Sequence, residues 1–278
     1  MGIKFGPAGA DEGYKGRSAD LPAILAAKGL NAYEYQCGRG VAITMQPAQK
    51  LGENARANGV AVSLHAPYFI SLTNRERTEG NIDYIRKSVQ AVSWMGGTRV
   101  VVHMGALLKL ERSVAMERTL ASVRDVLAAA EAEGWPEDVS LCIETMGKGG
   151  LLGTLDEVLA VCSLSERLCP CVDFGHLYAR SLGAFNGGEA YAAALESMEN
   201  ALGLERARSF HVHFSKIEFS AGGEKKHRTF DDHGQFGPEW TPLARLFKER
   251  AYTPVVICES AGTQSSDAAR MKEIFEGI

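Results

Sequence analysis

Short apolar, β-branched runs alternate with amphipathic runs from one end of the chain to the other. The strand-like runs fall near 2–5, 32–36, 61–65, 98–103, 139–144, 169–173, 208–213 and 254–259. Helical patterns lie between them, near 19–28, 46–58, 79–95, 111–133, 154–163, 187–202, 240–249 and 266–276. Within the fourth, Leu120, Val123 and Leu127 recur at helical spacing, and Thr154-Leu-Asp-Glu157 reads as a capping box opening the fifth. Strictly alternating units require crossover connections, so the sheet must be parallel and covered by helices. An open doubly wound sheet competes with a closed one, but no Gly-x-Gly-x-x-Gly follows the first run to mark a nucleotide site.

Eight such units predict an α/β fold, a single (β/α)8 TIM barrel over residues 1–278. The length fits, since roughly 250 residues is usual for this architecture. The chain shows no internal repeat, low-complexity tract or linker. Hydrophobic content of 45% and charged content of 23% exclude a disordered chain. No apolar run reaches the roughly 18 residues of a membrane span, so no membrane partner is expected. The start, Met1-Gly-Ile-Lys-Phe-Gly, reads as a strand without the charged and apolar regions of a signal peptide, and a cytoplasmic location is expected.

In such barrels chemistry collects at the C-terminal ends of the strands. His65, His103, Glu144, Asp173, His211 and Glu259 are read as ending the third to eighth strands, with His176 three residues past Asp173. One histidine at a strand end is ordinarily a core residue. Six ligand-type residues at the same end of six strands point instead to a multi-zinc hydrolytic centre. Asp231 and His233, two apart in the loop after the seventh strand, can turn to one ion there, whereas Asp232 and His227 read as a solvated turn. The six cysteines show no disulfide-domain spacing and read as reduced packing thiols, although Cys169 and Cys171 are spaced to allow metal binding.

These residues resemble the endonuclease IV family (AP endonuclease family 2), a zinc branch of the xylose isomerase-like barrels. The likeness rests on motifs in order: His65-Ala-Pro-Tyr68, Val102-His103-Met-Gly105, Ile143-Glu144-Thr145, Asp173-Phe-Gly-His176, His211-x-x-x-Ser-Lys216, Asp231-x-His233 and Glu259-Ser. The resemblance implies three Zn²⁺ ions, with Mn²⁺ or Fe²⁺ as alternative occupants. His65 and His103 would hold the first, and Glu144 would bridge it to the second. Asp173, His211 and Glu259 would complete the second; His176, Asp231 and His233 would hold the third. It further implies hydrolysis of double-stranded DNA 5′ to abasic sites in base excision repair, by a monomer, with Glu144 as the catalytic residue. Tyr68 and Phe69 would wedge into the gap, and Arg39 would enter from the loop Cys37-Gly-Arg-Gly40. Lys216, Lys225, Lys226 and Arg228 would contact phosphates.

The chain departs from that pattern in three places. Phe5-Gly-Pro-Ala-Gly9 has no histidine at the end of the first strand, and the loop Gln36–Val41 is short and weakly basic. His213 and Phe214 stand where asparagine and aspartate are typical, making His213 a spare ligand or a phosphate contact. The formal charge of −4 opposes nucleic-acid binding, though three divalent ions would more than offset it. The alternative function is a sugar isomerase or epimerase of the same barrel class, holding one divalent ion on Glu144, Asp173, His211 and Glu259. A metal-dependent sensor without turnover is a third class. The number of bound ions separates them.

Overall fold

A computed structural model describes residues 2–234 and 236–278. The elements run β1 (Lys4–Pro7), α1 (Leu21–Ala27), β2 (Ala32–Gln36), α2 (Met45–Ala57), β3 (Ala61–His65), α3 (Thr78–Trp94), β4 (Arg99–Val102) and α4 (Arg112–Ala132). They continue with β5 (Ser140–Glu144), α5 (Leu155–Cys162), β6 (Leu168–Asp173), α6 (Phe174–Arg180), α7 (Gly188–Leu202), α8 (Leu204–Arg208) and β7 (His211–Phe214). A hairpin of β8 (Lys216–Ser220) and β9 (Gly223–Arg228) follows, then α9 (Trp240–Glu249), β10 (Val255–Cys258) and α10 (Gln264–Gly277). No helix among the described residues is long and apolar enough to cross a membrane.

Eight strands form one sheet in the order β1-β10-β7-β6-β5-β4-β3-β2, and every pair is parallel. A parallel bridge between Ala8 and Glu34 brings the two edge strands together, giving the expected barrel. Gly6 makes that closure possible. A Cβ there would lie 1.8 Å from the Ala32 carbonyl oxygen, so no larger residue fits the β1–β2 seam.

The two-residue period of the strands sorts their side chains between two environments. Val62, Leu64, Val100, Val102, Leu141, Ile143, Val172, Val212 and Val256 belong to the main core, packed with residues of the helices. From α4 that core takes Ala115, Val123, Val126 and Ala130, a stripe at helical spacing. The alternate strand positions face the barrel interior. There, among the described residues, the apolar filling is a small cluster of Val101, Cys142 and Cys171, with Cys169 against it, and Ile257, which pairs with His213. Barrels of this kind ordinarily fill that space with branched aliphatics. Here Glu34, Ser63, His211 and His213 occupy it, all buried.

The capping box holds: Thr154 Oγ1 accepts from the Glu157 N–H, and the Glu157 carboxylate accepts from the Thr154 N–H. All six cysteines are free thiols. Three features were not foreseen: α6, α8 and the β8–β9 hairpin. The hairpin is antiparallel and stands outside the barrel sheet. Gly223, at φ +95°, lets it reach the loop after β5; a Cβ there would meet the Gly147 carbonyl oxygen at 2.3 Å.

Candidate metal centre

His65, Glu144 and Asp173 are the last residues of β3, β5 and β6, while His103 and Glu259 follow β4 and β10 by one position. The parallel register brings these side chains to one end of the barrel. Asp173 pairs with His213, which in turn pairs with Ile257.

Glu144 lies at the centre, 1% exposed. Its Oε2 is 2.7 Å from His103 Nε2 and 3.3 Å from His65 Nε2. Its Oε1 is 3.0 Å from His213 Nδ1 and 3.7 Å from His176 Nδ1. Two donor sets therefore share one carboxylate: His65, His103 and Glu144 form the first, and Glu144, Asp173, His213 and Glu259 the second. A third, of His176, Glu224 and His227, lies beside them.

The residues fit metal ions on their hydrogen bonding. His65 Nδ1 lies 2.7 Å from the Ala66 carbonyl and His176 Nδ1 lies 2.9 Å from that of Thr145. A carbonyl only accepts, so Nδ1 carries a proton in both rings, and in the neutral ring the lone pair lies on Nε2. His227 Nδ1 lies 2.8 Å from Ser215 Oγ, which can donate or accept, and its Nε2 lies 3.8 Å from Glu224 Oε1. Asp173 caps α6 with one oxygen, Oδ1 accepting from the His176 N–H at 2.8 Å. Its Oδ2 is buried without a hydrogen bond, as is His103 Nε2 despite its nearness to Glu144. Such atoms cost free energy unless they meet a partner, and a shared cation satisfies several lone pairs at once.

The electrostatics agree. Burial opposes charge on Glu144, yet the neighbouring His103 and His213 hold its carboxyl well below the usual range. Burial likewise opposes a charged His65, but the Glu144 carboxylate lifts its pKa to about 9. At His176 burial is outweighed by Asp173, Glu144, Glu224 and Glu259, again giving about 9. These strongly negative surroundings suit cations.

Three expected ligands do not join the centre. His211 opens β7 instead of ending it, so its ring lies deeper, with Nε2 2.9 Å from Glu34 Oε2. His213, two residues nearer the mouth on the same face, takes the expected place. Asp231 and His233 are exposed, and Asp231 pairs with Arg270 at 2.8 Å. The hairpin supplies Glu224 and His227 to His176 in their stead, with Glu224 Oε2 3.3 Å from His176 Nε2. The solvated turn expected at His227 is thus a strand. Cys171, whose thiol is pushed up by burial, lies within reach of His211 and His213 and forms a fourth donor set with them.

A cavity of about 500 Å³ opens over the centre, walled by Gln36, Tyr68, Met146, Lys148 and Leu151 together with His65, His103, Glu144, His176, Glu224, His227 and Glu259. Tyr68 is 62% exposed at its rim, whereas Phe69 packs edge-on against Tyr84 with centroids 4.8 Å apart. Arg39 is exposed on the turn Cys37–Gly40, whose Gly38 backbone lies against Tyr68. Lys216 and Arg228 are turned elsewhere. Lys216 lies over the Phe230 ring at 5.8 Å; Arg228 pairs with Glu218 and stacks on Phe236. Lys225 pairs with Glu218 as well, and Lys226 is exposed. Sequence reasoning missed Glu34, Glu224 and Lys148. The signal for Glu34 was a lone carboxylate at an interior position of an otherwise aromatic run, Tyr33-Glu34-Tyr35.

A model of the family described as xylose isomerase-like TIM barrel matches residues 22–277. The chain is 32% identical over 239 residues to an uncharacterized protein of Methanocaldococcus jannaschii, covering 85% of this chain and 84% of that one. A probable endonuclease 4 of Staphylococcus carnosus is 27% identical over 168 residues, which is 58% of this chain and 54% of that protein. The match thus spans about half the length of that relative. Among solved structures, endonuclease IV from Thermus thermophilus is similar in fold, with a TM-score of 0.71, 21% identity, and coverage of 99% and 100% of the two chains. A D-tagatose 3-epimerase-like protein aligns nearly as well, with a TM-score of 0.69, 22% identity and coverage of 89% and 88%.

Proposed function

The chain belongs to the xylose isomerase-like TIM barrel family, and we propose that within it this protein is a zinc-dependent phosphodiesterase that cuts double-stranded DNA 5′ to abasic sites. The observation that carries this reading is the meeting of three donor sets around Glu144. His65, His103 and Glu144 would hold one ion, Glu144, Asp173, His213 and Glu259 a second, and His176, Glu224 and His227 a third. Bound there, divalent ions lower the pKa of water and stabilise charge on a phosphoryl group during in-line displacement.

The chain's own residues prepare the site for that chemistry. Glu144 spans the first two sets, and its near-complete burial keeps bulk water from weakening those contacts. The carbonyls of Ala66 and Thr145 fix the tautomers of His65 and His176, so these rings need no reorganisation. Lys148, exposed on the cavity wall, is placed to contact a phosphate. Tyr68 presents an aromatic face at the rim, suited to fill the space of a missing base. The endonuclease 4 relatives support DNA as the substrate.

A second reading draws on the four-residue set alone. Glu144, Asp173, His213 and Glu259 can hold one divalent ion without help, as a sugar epimerase would require, and the epimerase-like fold neighbour keeps that class in view. It leaves His65, His103, Glu224 and His227 without a role. The test is incubation of the zinc-loaded protein with an end-labelled duplex carrying one abasic site. Incision on the 5′ side leaving a 3′-hydroxyl supports the proposal; an intact duplex, with epimerised ketose in a parallel assay, overturns it.

A further inference from the structure

Beneath the donor sets, in the barrel interior, Glu34 on β2 is 0% exposed and contacts four polar groups. Its Oε2 accepts from Ser63 Oγ at 3.0 Å and lies 2.9 Å from His211 Nε2. Its Oε1 accepts from Gln36 Nε2 at 3.1 Å and lies 3.1 Å from His213 Nε2. We propose that Glu34 is a positioning residue that orients His213, so that Nδ1 of that ring faces the ion set it shares with Glu144, Asp173 and Glu259. The inference rests on reading that set as a metal site.

A buried carboxylate must be paired to be tolerated, and Glu34 is paired on both oxygens. Its lone pairs are engaged below the centre, so it serves as an anchor and not as a ligand. His213 has one nitrogen toward each layer. Nε2 faces Glu34, while Nδ1 lies 3.0 Å from Glu144 Oε1 and 3.4 Å from Glu259 Oε1. His213 Nε2 approaches Oε1 outside hydrogen-bonding geometry and makes no hydrogen bond to any group among the described residues, whereas Nδ1 is within hydrogen-bonding distance of Glu144. A cation on Nδ1 would take that lone pair and leave the proton on Nε2, 3.1 Å from the Glu34 carboxylate, which would then hold the ring in place. The ring is also held from the side, stacked on His65 at 24° with centroids 5.9 Å apart. A carboxylate behind a ligating imidazole fixes its tautomer and raises its basicity. His211 occupies the other Glu34 oxygen, which steadies the anchor and gives the deeper histidine a purpose.

The test is chelator-competition titration of Zn²⁺ into metal-free wild type and Glu34→Gln, with melting of the metal-free proteins as the control. Glutamine keeps the shape and loses the charge. The expected result is an unchanged metal-free melting point, one ion weakened by about 10–100-fold, and the remaining ions unaffected. Should Glu34→Gln fail to fold without metal, Glu34→Asp, which keeps the charge but shortens the reach, carries the same expectation. Unchanged affinity for every ion overturns the proposal alone. So does uniform weakening together with a lowered metal-free melting point, the mark of a merely structural residue. Wild type that binds no zinc overturns both this proposal and the metal reading beneath it.

Discussion

Glu224 Oε2 on β9 lies 3.3 Å from His176 Nε2 on α6, so a hairpin outside the barrel completes a donor set that begins within it. His227 joins the pair from the same hairpin. Glu224→Ala and His227→Ala should each lower zinc content by about one ion per chain, since a set of three donors reduced to two binds weakly. Asp231→Ala and His233→Ala should leave zinc content at the wild-type value. Plasma mass spectrometry of the four variants checks this, and loss of an ion from Asp231→Ala would restore the arrangement expected from the family motifs.

Glu144 belongs to two sets, so its loss should be felt at both. Residues behind a ligand already cost about 10–100-fold when removed, and Glu144→Gln should reduce incision by more than about 10²-fold. Circular dichroism should show the barrel retained, because the main hydrophobic core lies between sheet and helices and does not include Glu144. Activity within tenfold of wild type would remove Glu144 from the centre.

The pH dependence of stability should reverse on metal removal. In the chelated protein His65 and His176 have pKa values raised from 6.5 to about 9. A raised value means that their contribution is complete below 6.5 and is lost as pH climbs through 9. The melting temperature of chelated protein should therefore fall across that window. Zinc requires neutral imidazoles, so the stabilisation it adds should grow over the same range. Melting curves with and without chelator between pH 6 and 9 test both directions.

Arg39 is exposed next to Gly38, whose carbonyl accepts from the Tyr68 N–H at 3.4 Å, and Gly38 and Tyr68 both line the cavity. Arg39→Ala should weaken binding to an abasic duplex and lower the slope of log K against log salt by about 1, with zinc content unchanged. Equal affinity and slope in a fluorescence titration would exclude Arg39 from the interface.

The β1–β2 seam depends on Gly6, where a Cβ would overlap the Ala32 carbonyl. Gly6→Ala should cost about 3 kcal/mol, read as a lowered urea midpoint, because backbone on both sides must move. A midpoint equal to wild type would mean that the seam is looser than this packing.

Much of the barrel was legible because period-2 and period-3.6 patterns are local. Strands at 32–36, 61–65 and 140–144 stand where the apolar runs placed them, and the last two end in His65 and Glu144. Register is not local. A shift of two residues keeps the same face but changes depth, and for that reason His211 and His213 could not be told apart until β7 was paired with β6. The hairpin was hidden for another reason. Gly223-Glu-Lys-Lys-His-Arg228 is polar throughout, and its pairing with β8 lies outside the barrel, so no apolar period marks it. Glu34 was hidden by its neighbours, since two tyrosines around one carboxylate read as an ordinary strand edge.

The most direct test of the central claim is the number of metal ions per chain, measured on protein purified without chelator or added metal. Three donor sets around Glu144 require close to three zinc ions, falling to about one in Glu144→Gln as the two shared sets fail. A single ion in wild type, unaffected by removal of His65 or Glu224, would contradict the account and leave only the four-residue set.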